Sequence, residues 1–564
     1  MTEVCCMKMR TVTTIVLMSL IALNAVAQTR EQTSRLATFA RVWGFLKYYH
    51  PEAAKGHPDW DVELTKRYLT ITKLKSDEEF NKLLISWYKG LPKAKVSTSE
   101  TQPKGDSIIR VFSEHDINKL NIAKDLKREL LNLYRYHLPD SSKYINNKEG
   151  GYTYDHIFHN EDMMEKPDYP DEAHRFLALA RFWNIVNYFY PHKAVNTPDW
   201  DKVLADFVPQ FVNAADADQY REAFLKLTCR IRDSHSWFLN KEWNAKHGDF
   251  LNMPFDTYYA GGKYIIGYSR YDSLMKANNF KIGDEILAVN GTPVAERERQ
   301  IKSYTTGTNN AVFHRDLGRN LFRFDSSRTV NVTLSRNGQV IESKAKMYSY
   351  GELYQYRLRH RAKLWEDMGN GIFYVRICEI ADTKNLKNMY EAIKDARGVI
   401  WEMRDYPSFK IVQAMFPGIM ANRGRAEIDY EGVLEYPGVF KANMQQLPAE
   451  PDTLNLPLYK GKLVVLVNEH TQSLAESVAL ELRMRPNTII MGRQTAGTTG
   501  NMIRIDMPGG IQGSYTAVKV VGLNRSFEEG KGVKLDREVK LTPAKICSAE
   551  DYLLQQAYKE ALKN

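Results

Sequence analysis

A gapless internal repeat constrains this chain more than any other feature. Residues 41–61 (RVWGFLKYYHPEAAKGHPDWD) and 181–201 (RFWNIVNYFYPHKAVNTPDWD) align at an offset of 140. Each copy carries polar and aromatic positions at helical spacing, Trp43, Lys47 and Tyr48 or Trp183, Asn187 and Tyr188, and then breaks at Pro51 or Pro191. Asp59-Trp60 and Asp199-Trp200 each follow a proline suited to the first turn of a second helix. Both copies read as helical modules whose aromatics pack a hairpin core rather than caging a ligand. The copies diverge at their ends. The second runs into Asp233-Ser234-His235-Ser236, where the first has Lys95-Val96-Ser97. A duplicated scaffold with a histidine in only one copy puts that copy beside the chemistry.

With 564 residues the chain predicts about three to five domains. Its 43% hydrophobic and 26% charged residues, with 33 Gly and 21 Pro, exclude a disordered, collagen-like or coiled-coil chain. The net charge of +10 is thin over this length and argues against nucleic acid as a partner. Lys8 and Arg10 precede the apolar stretch Thr14 to Ala27, which ends in Ala25-Val26-Ala27. This is the pattern of a signal peptide over 1–27, implying export to a periplasm, the cell envelope or the medium, with no stable membrane span after cleavage. Cys5 and Cys6 fall in its polar start, leaving Cys229, Cys378 and Cys547, an odd set that argues against a disulfide framework. No Cys/His spacing resembles a zinc site and no HExxH occurs, so no metal or other cofactor is expected.

The expected order is helical repeat 1 over 28–99, a polar linker with some helix (Ile117 to Tyr136) over 100–170, and helical repeat 2 with the Ser-His pair over 171–250. From 251 to 348 short β-type runs alternate with turns, including a tight hairpin at Asn290-Gly291. Residues 349–548 alternate strand and helix: strand Gly371 to Ile380, helix Asn385 to Ala396, strand Gly398 to Met403, helix Lys410 to Met420, strand Leu463 to Val467, helix Ser473 to Met484, strand Thr488 to Met491. That pattern predicts an α/β layer with a largely parallel sheet, followed by a C-terminal helix over 549–564. The fold class is multidomain α/β. Functional loops then sit where strands end and helices begin, as at Val467 to Ser473.

Several motifs carry a resemblance. Gly283 to Gly291 resembles the GD-x-I-L-x-V-N-G hallmark of PDZ domains, although the carboxylate-binding glycine loop of such domains is not evident. Leu466 to Leu480 resembles the nucleophile motif of S41 peptidases, the C-terminal processing and tricorn-like proteases, in which a serine stands three residues before a glutamate. Gly492-Arg-Gln-Thr-Ala-Gly497 resembles the family's G-x-x-T-x-G loop, and Glu529-Gly-Lys-Gly-Val533 its late E-G-x-G-V segment. The resemblance covers about residues 170–550 and implies a ClpP/crotonase-like protease core behind the PDZ-like domain. It makes Ser473 the nucleophile and Glu476 the motif glutamate. One branch has a lysine directly after the second loop glycine; here that residue is Thr498, which points to the tricorn-like branch and its serine-histidine pair. By that resemblance His235 is the general base, Ser234 supports it and Glu529 orients Ser234.

The chemistry is coherent. A serine hydroxyl needs a neutral imidazole to take its proton, and the imidazole needs a partner to fix its tautomer. Ser473 at a helix start sets the Leu474 N–H to stabilise an oxyanion. The family's second donor comes from a D-x-R-x-N-x-G-G turn, but here the stretch is Glu402-Met-Arg-Asp-Tyr-Pro-Ser408. Pro407 has no N–H, which leaves the Ser408 amide as the other expected donor. Each site residue has a plainer alternative: Ser473 with Glu476 also satisfies a helix-capping box, and His470 is a rival base. The resulting expectation is an exported serine endopeptidase acting on peptides or unfolded chain ends. The alternatives are a decayed S41-fold protein that binds peptide or lipid, and an envelope scaffold; oligomerisation is left open.

Overall fold

A computed structural model describes residues 29–138, 142–147, 156–159, 168–247, 251–323, 327–360, 362–420, 424–443, 453–548 and 551–563. The expected signal peptide lies outside them. No described helix is long and apolar enough to cross a membrane.

The repeat folds as two equivalent helical hairpins. Arg30–Tyr49 pairs with Trp60–Ile71, and Glu172–Phe189 with Trp200–Val212. The tryptophans explain the shared sequence. Trp43 Nε1 donates to the Trp60 carbonyl at 2.8 Å and Trp60 Nε1 returns a bond to the Trp43 carbonyl at 2.9 Å. Trp183 and Trp200 repeat this clasp at 2.8 and 3.0 Å. Each indole is buried with its N–H satisfied, so the aromatics are core.

The copies also pack on each other through equivalent positions. Asn184 Nδ2 reaches the Ala40 carbonyl at 2.9 Å across Gly44, its own counterpart in the first copy. A Cβ built on Gly44 would lie 2.0 Å from the Asn184 side chain. Gly44→Ala is therefore expected to destabilise the chain by about 2–4 kcal/mol, through overpacking plus loss of the Asn184 bond. Denaturant unfolding checks this, and a change below about 0.5 kcal/mol would contradict it.

Over 100–138 the expected linker carries more secondary structure than the sequence reading gave it. The single expected helix is two, Glu114–Asn118 and Lys124–Arg135, split by a segment that buries Leu120 and Ile122. Ile117, Leu126, Leu130 and Leu133 join the helical core. Strand Ile108–Arg110 pairs antiparallel with Val439–Asn443 of the C-terminal region. Tyr49 also donates its hydroxyl to the Pro437 carbonyl at 2.6 Å, so the first module braces the hairpin Glu427–Gly432/Val439–Asn443.

The middle region is an antiparallel sheet in the order Gln339–Lys346, Thr329–Arg336, Glu285–Val289, Lys263–Tyr268, Asp256–Ala260. Asn290 and Gly291 take φ of 49° and 76°, as a tight hairpin of this type requires. Helix Asn310–Asn320 lies across Asp256–Ala260.

In the C-terminal core, Ile372–Val375, Gly398–Glu402, Lys462–Val467, Thr488–Gly492 and Arg537–Glu538 form a parallel sheet in that order, with Trp365–Asp367 antiparallel at one edge. Alternating residues serve two faces. Val399, Trp401 and Val465 pack under helices Thr383–Ile393, Phe409–Ile419 and Leu474–Arg483, while Ile400, Val464 and Leu466 pack under the C-terminal helix Tyr552–Ala561. A hairpin absent from the sequence reading, Met502–Met507 with Ile511–Thr516, leaves this core and pairs with Phe238–Leu239, carrying Thr516 to His235.

Candidate active site

Ser473 sits between strand Lys462–Val467 and helix Leu474–Arg483. It forms the expected capping box with Glu476, yet its backbone differs from that of the other capping serines. The capping residues Ser76, Ser113 and Ser349 all take the extended conformation usual for that role. Ser473 instead has φ 57° and ψ −122°. A residue with a Cβ pays about 1–3 kcal/mol for such a conformation, and strain of this kind at a sharp strand-to-helix turn is how a nucleophilic serine is held out of the sheet.

The turn is held by Glu476. Its buried carboxyl group accepts from Gly497 N at 2.8 Å, Thr498 N at 3.0 Å, Ser473 N at 3.3 Å and the Thr495 hydroxyl. Thr495 Oγ1 in turn accepts from Val533 N at 2.9 Å. The three motifs that are distant in sequence thus meet at one carboxyl group, whose pKa burial pushes up to about 7. Gly532 has Thr495 Oγ1 2.1 Å from where a Cβ would stand, so that position requires glycine. Ser473 N also donates to the Thr498 carbonyl at 2.9 Å.

His235 is oriented from a direction the sequence did not disclose. Its Nδ1 bonds Thr516 Oγ1 at 2.9 Å. Thr516 gives both its N–H and its hydroxyl to Asp233, at 2.7 and 3.0 Å, and Asp233 also accepts the His235 N–H at 2.8 Å. Because the Thr516 proton is committed to Asp233, its free lone pair accepts from Nδ1–H, leaving Nε2 as the basic nitrogen. Burial lowers the imidazole pKa and Asp233 opposes that shift.

Ser234 does not touch Glu529, contrary to expectation. It exchanges bonds with Thr308: Ser234 N to Thr308 Oγ1 at 2.9 Å, Thr308 N to Ser234 Oγ at 3.0 Å, and hydroxyl to hydroxyl at 2.8 Å. Thr308 Oγ1 bonds Thr498 Oγ1, which is 3.5 Å from Glu529 Oε1. Glu529 is therefore connected to Ser234 only through the hydroxyls of Thr498 and Thr308 among the described hydrogen bonds. Its register is clear, since Glu528 pairs with Lys531 at the surface while the Glu529 side chain is buried. Gln472 Nε2 donates to the Ser234 carbonyl at 3.1 Å, tying the Ser473 loop to the Ser-His segment.

The remaining expected residues divide. Leu474 is the first helical residue, and its N–H has no acceptor within the helix. Ser408 caps helix Phe409–Ile419, and none of the described hydrogen bonds links 406–409 to the Ser473 loop. His470 is engaged elsewhere: its Nδ1 faces Arg319 at 3.1 Å and burial pushes its pKa down to about 4. It borders a cavity of about 280 Å³ shared with Asp256, Arg270 and Arg404, beside the catalytic loop rather than over Ser473. Among the described residues no cluster of His, Cys, Asp and Glu is suited to a metal ion.

Asp233 was visible as part of Asp-Ser-His-Ser, and an aspartate two residues before a histidine is placed to accept its N–H. Thr308 and Thr516 had no local signal.

The matches with known proteins agree with this architecture. Residues 421–539 match the model of Peptidase family S41 and residues 250–360 that of the PDZ domain. Mature CPAF in complex with lactacystin superposes with a TM-score of 0.51 at 12% identity, covering 69% of this chain and 98% of that one. Mature CPAF alone gives 0.50 at 13%, covering 69% and 96%. At these identities the likeness shows the fold. The photosystem II D1 C-terminal processing protease, at 0.41, 16% identity and coverages of 65% and 93%, is more distant. No curated protein matches the sequence. Residues 421–539 thus carry a Peptidase family S41 domain, that of a serine-type peptidase, with a PDZ domain ahead of it over 250–360.

Proposed function

We propose that the protein is an exported endopeptidase that cleaves peptides or unfolded chain ends through an acyl-enzyme on Ser473. His235 Nε2 takes the Ser473 proton as the hydroxyl attacks the scissile carbonyl carbon. The resulting imidazolium is stabilised by the Thr516–Asp233 pair, and the oxyanion accepts the Leu474 N–H. The imidazolium then returns its proton to the leaving amine, the peptide C–N bond breaks, and a water activated by the same nitrogen releases the acyl group.

The observation that carries this reading is the strained Ser473 backbone, which a helix cap does not need. Export rests on the N-terminal pattern of Lys8, Arg10 and the apolar stretch that follows.

The test is incubation of the mature chain with unfolded, fluorescein-labelled casein and mass mapping of the new termini. The reading predicts cleavage by the wild type and none by Ser473→Ala. Cleavage that persists in the alanine variant would overturn it.

A further inference from the structure

The second helical module reaches the catalytic centre by a route that His235 does not use. Beyond helix Glu172–Phe189, a short turn carries Tyr190, His192 and Asn196. Asn196 Nδ2 donates to Glu529 Oε1 at 3.2 Å and to the Tyr190 hydroxyl at 2.6 Å. His192 Nε2 lies 3.6 Å from Glu529 Oε2, in side chains 1% and 5% exposed. Neither atom has a hydrogen-bond partner. Two buried polar atoms facing each other without partners carry a desolvation cost.

The repeat supplies an internal control. The positions aligned with Tyr190, His192 and Asn196 are His50, Glu52 and Gly56 in the first copy, where Glu52 pairs with the neighbouring Lys55 instead. The first copy keeps the tryptophan clasp and lacks all three residues of the Glu529 contact. Packing of the module alone does not call for them.

We propose that His192 and Asn196 are positioning residues of the peptidase centre, which hold the Glu529 carboxyl group against Thr498 within an uncharged buried cluster. This rests on the reading of Ser473 and His235 as the reacting pair. Glu529 passes its position through Thr498 and Thr308 to Ser234, and so to the segment that presents His235. The surrounding charges agree with a neutral pair. Burial, Asp233 and Glu476 raise the Glu529 pKa, while burial, Lys519 and His235 lower that of His192 to about 3.

The test is the saturable reaction of the mature full chain with a fluorophosphonate probe, which separates the maximal labelling rate from the half-saturating probe concentration. Thermal unfolding is followed alongside. His192→Phe is expected to lower the maximal rate at least about tenfold with half-saturation unchanged within about twofold. His192→Gln, whose amide can bond Glu529, recovers most of the rate, and Asn196→Ala falls between.

Wild-type rates in all three variants would overturn the proposal, as would losses that track the fall in Tm. If His192→Phe does not fold, the order wild type, His192→Gln, Asn196→Ala in maximal rate at unchanged Tm decides the question. A wild type that takes no label sinks the peptidase reading and this inference together. A labelled wild type with indifferent variants sinks the inference alone.

Discussion

Ser473→Ala is expected to lower kcat/KM by about 10⁴- to 10⁶-fold while leaving the fold intact. Alanine keeps the Cβ that the turn already accommodates, so the Glu476 bonds to Ser473 N, Gly497 N and Thr498 N persist. Only the hydroxyl is lost. His235→Ala is expected to cost a similar factor, and the double variant little more, because a nucleophile without its base and a base without its nucleophile fail at the same step. Measured kcat/KM values on labelled casein check this. Losses that add as independent factors would contradict a single reacting pair.

Asp233→Asn is expected to lower kcat/KM by about 10²- to 10⁴-fold, although it is nearly isosteric and lies behind the histidine. Asp233 accepts three protons, from Thr516 N, Thr516 Oγ1 and His235 N. An asparagine has one accepting oxygen, so its NH₂ must face a donor. The relief available is for Thr516 to turn its hydroxyl proton toward His235 Nδ1, which moves the imidazole proton to Nε2 and removes the base.

The pH dependence follows with a definite sign. The base works neutral, so the rate falls as pH drops through its pKa, and burial sets that pKa below the ordinary 6.5. The acid limb of kcat/KM therefore lies below pH 6.5 in the wild type. Asp233 holds the pKa up, so in Asp233→Asn the limb of the residual activity moves to lower pH. A limb that stays in place or moves up would contradict the assignment of Asp233 as the charge behind His235.

What could be read from the sequence was local. The alternation of apolar strands with amphipathic helices over 371–491 specifies the parallel sheet, and Asn290-Gly291 a turn whose positive φ values few other residue pairs tolerate. The S-x-x-E, G-x-x-T-x-G and E-G-x-G-V segments were recognisable separately. The structure explains their joint occurrence, since Glu476, Thr495 and Val533 form one hydrogen-bonded chain. What could not be read was the set of partners brought in from afar. Thr308 meets Ser234 across 74 residues and Thr516 meets His235 across 281. A threonine in a strand or loop carries no mark of which hydroxyl it will face. The strain at Ser473 was equally hidden, because a capping serine and a nucleophilic serine share the same neighbours in sequence and differ in φ and ψ.

The most direct measurement is reaction of the folded mature protein with a fluorophosphonate probe, followed by mass mapping of the modified residue. An activated Ser473 with a formed oxyanion site predicts one adduct, on Ser473, lost in both Ser473→Ala and His235→Ala. A folded wild type that takes no label between pH 6 and 9, or an adduct on any other serine, would contradict it.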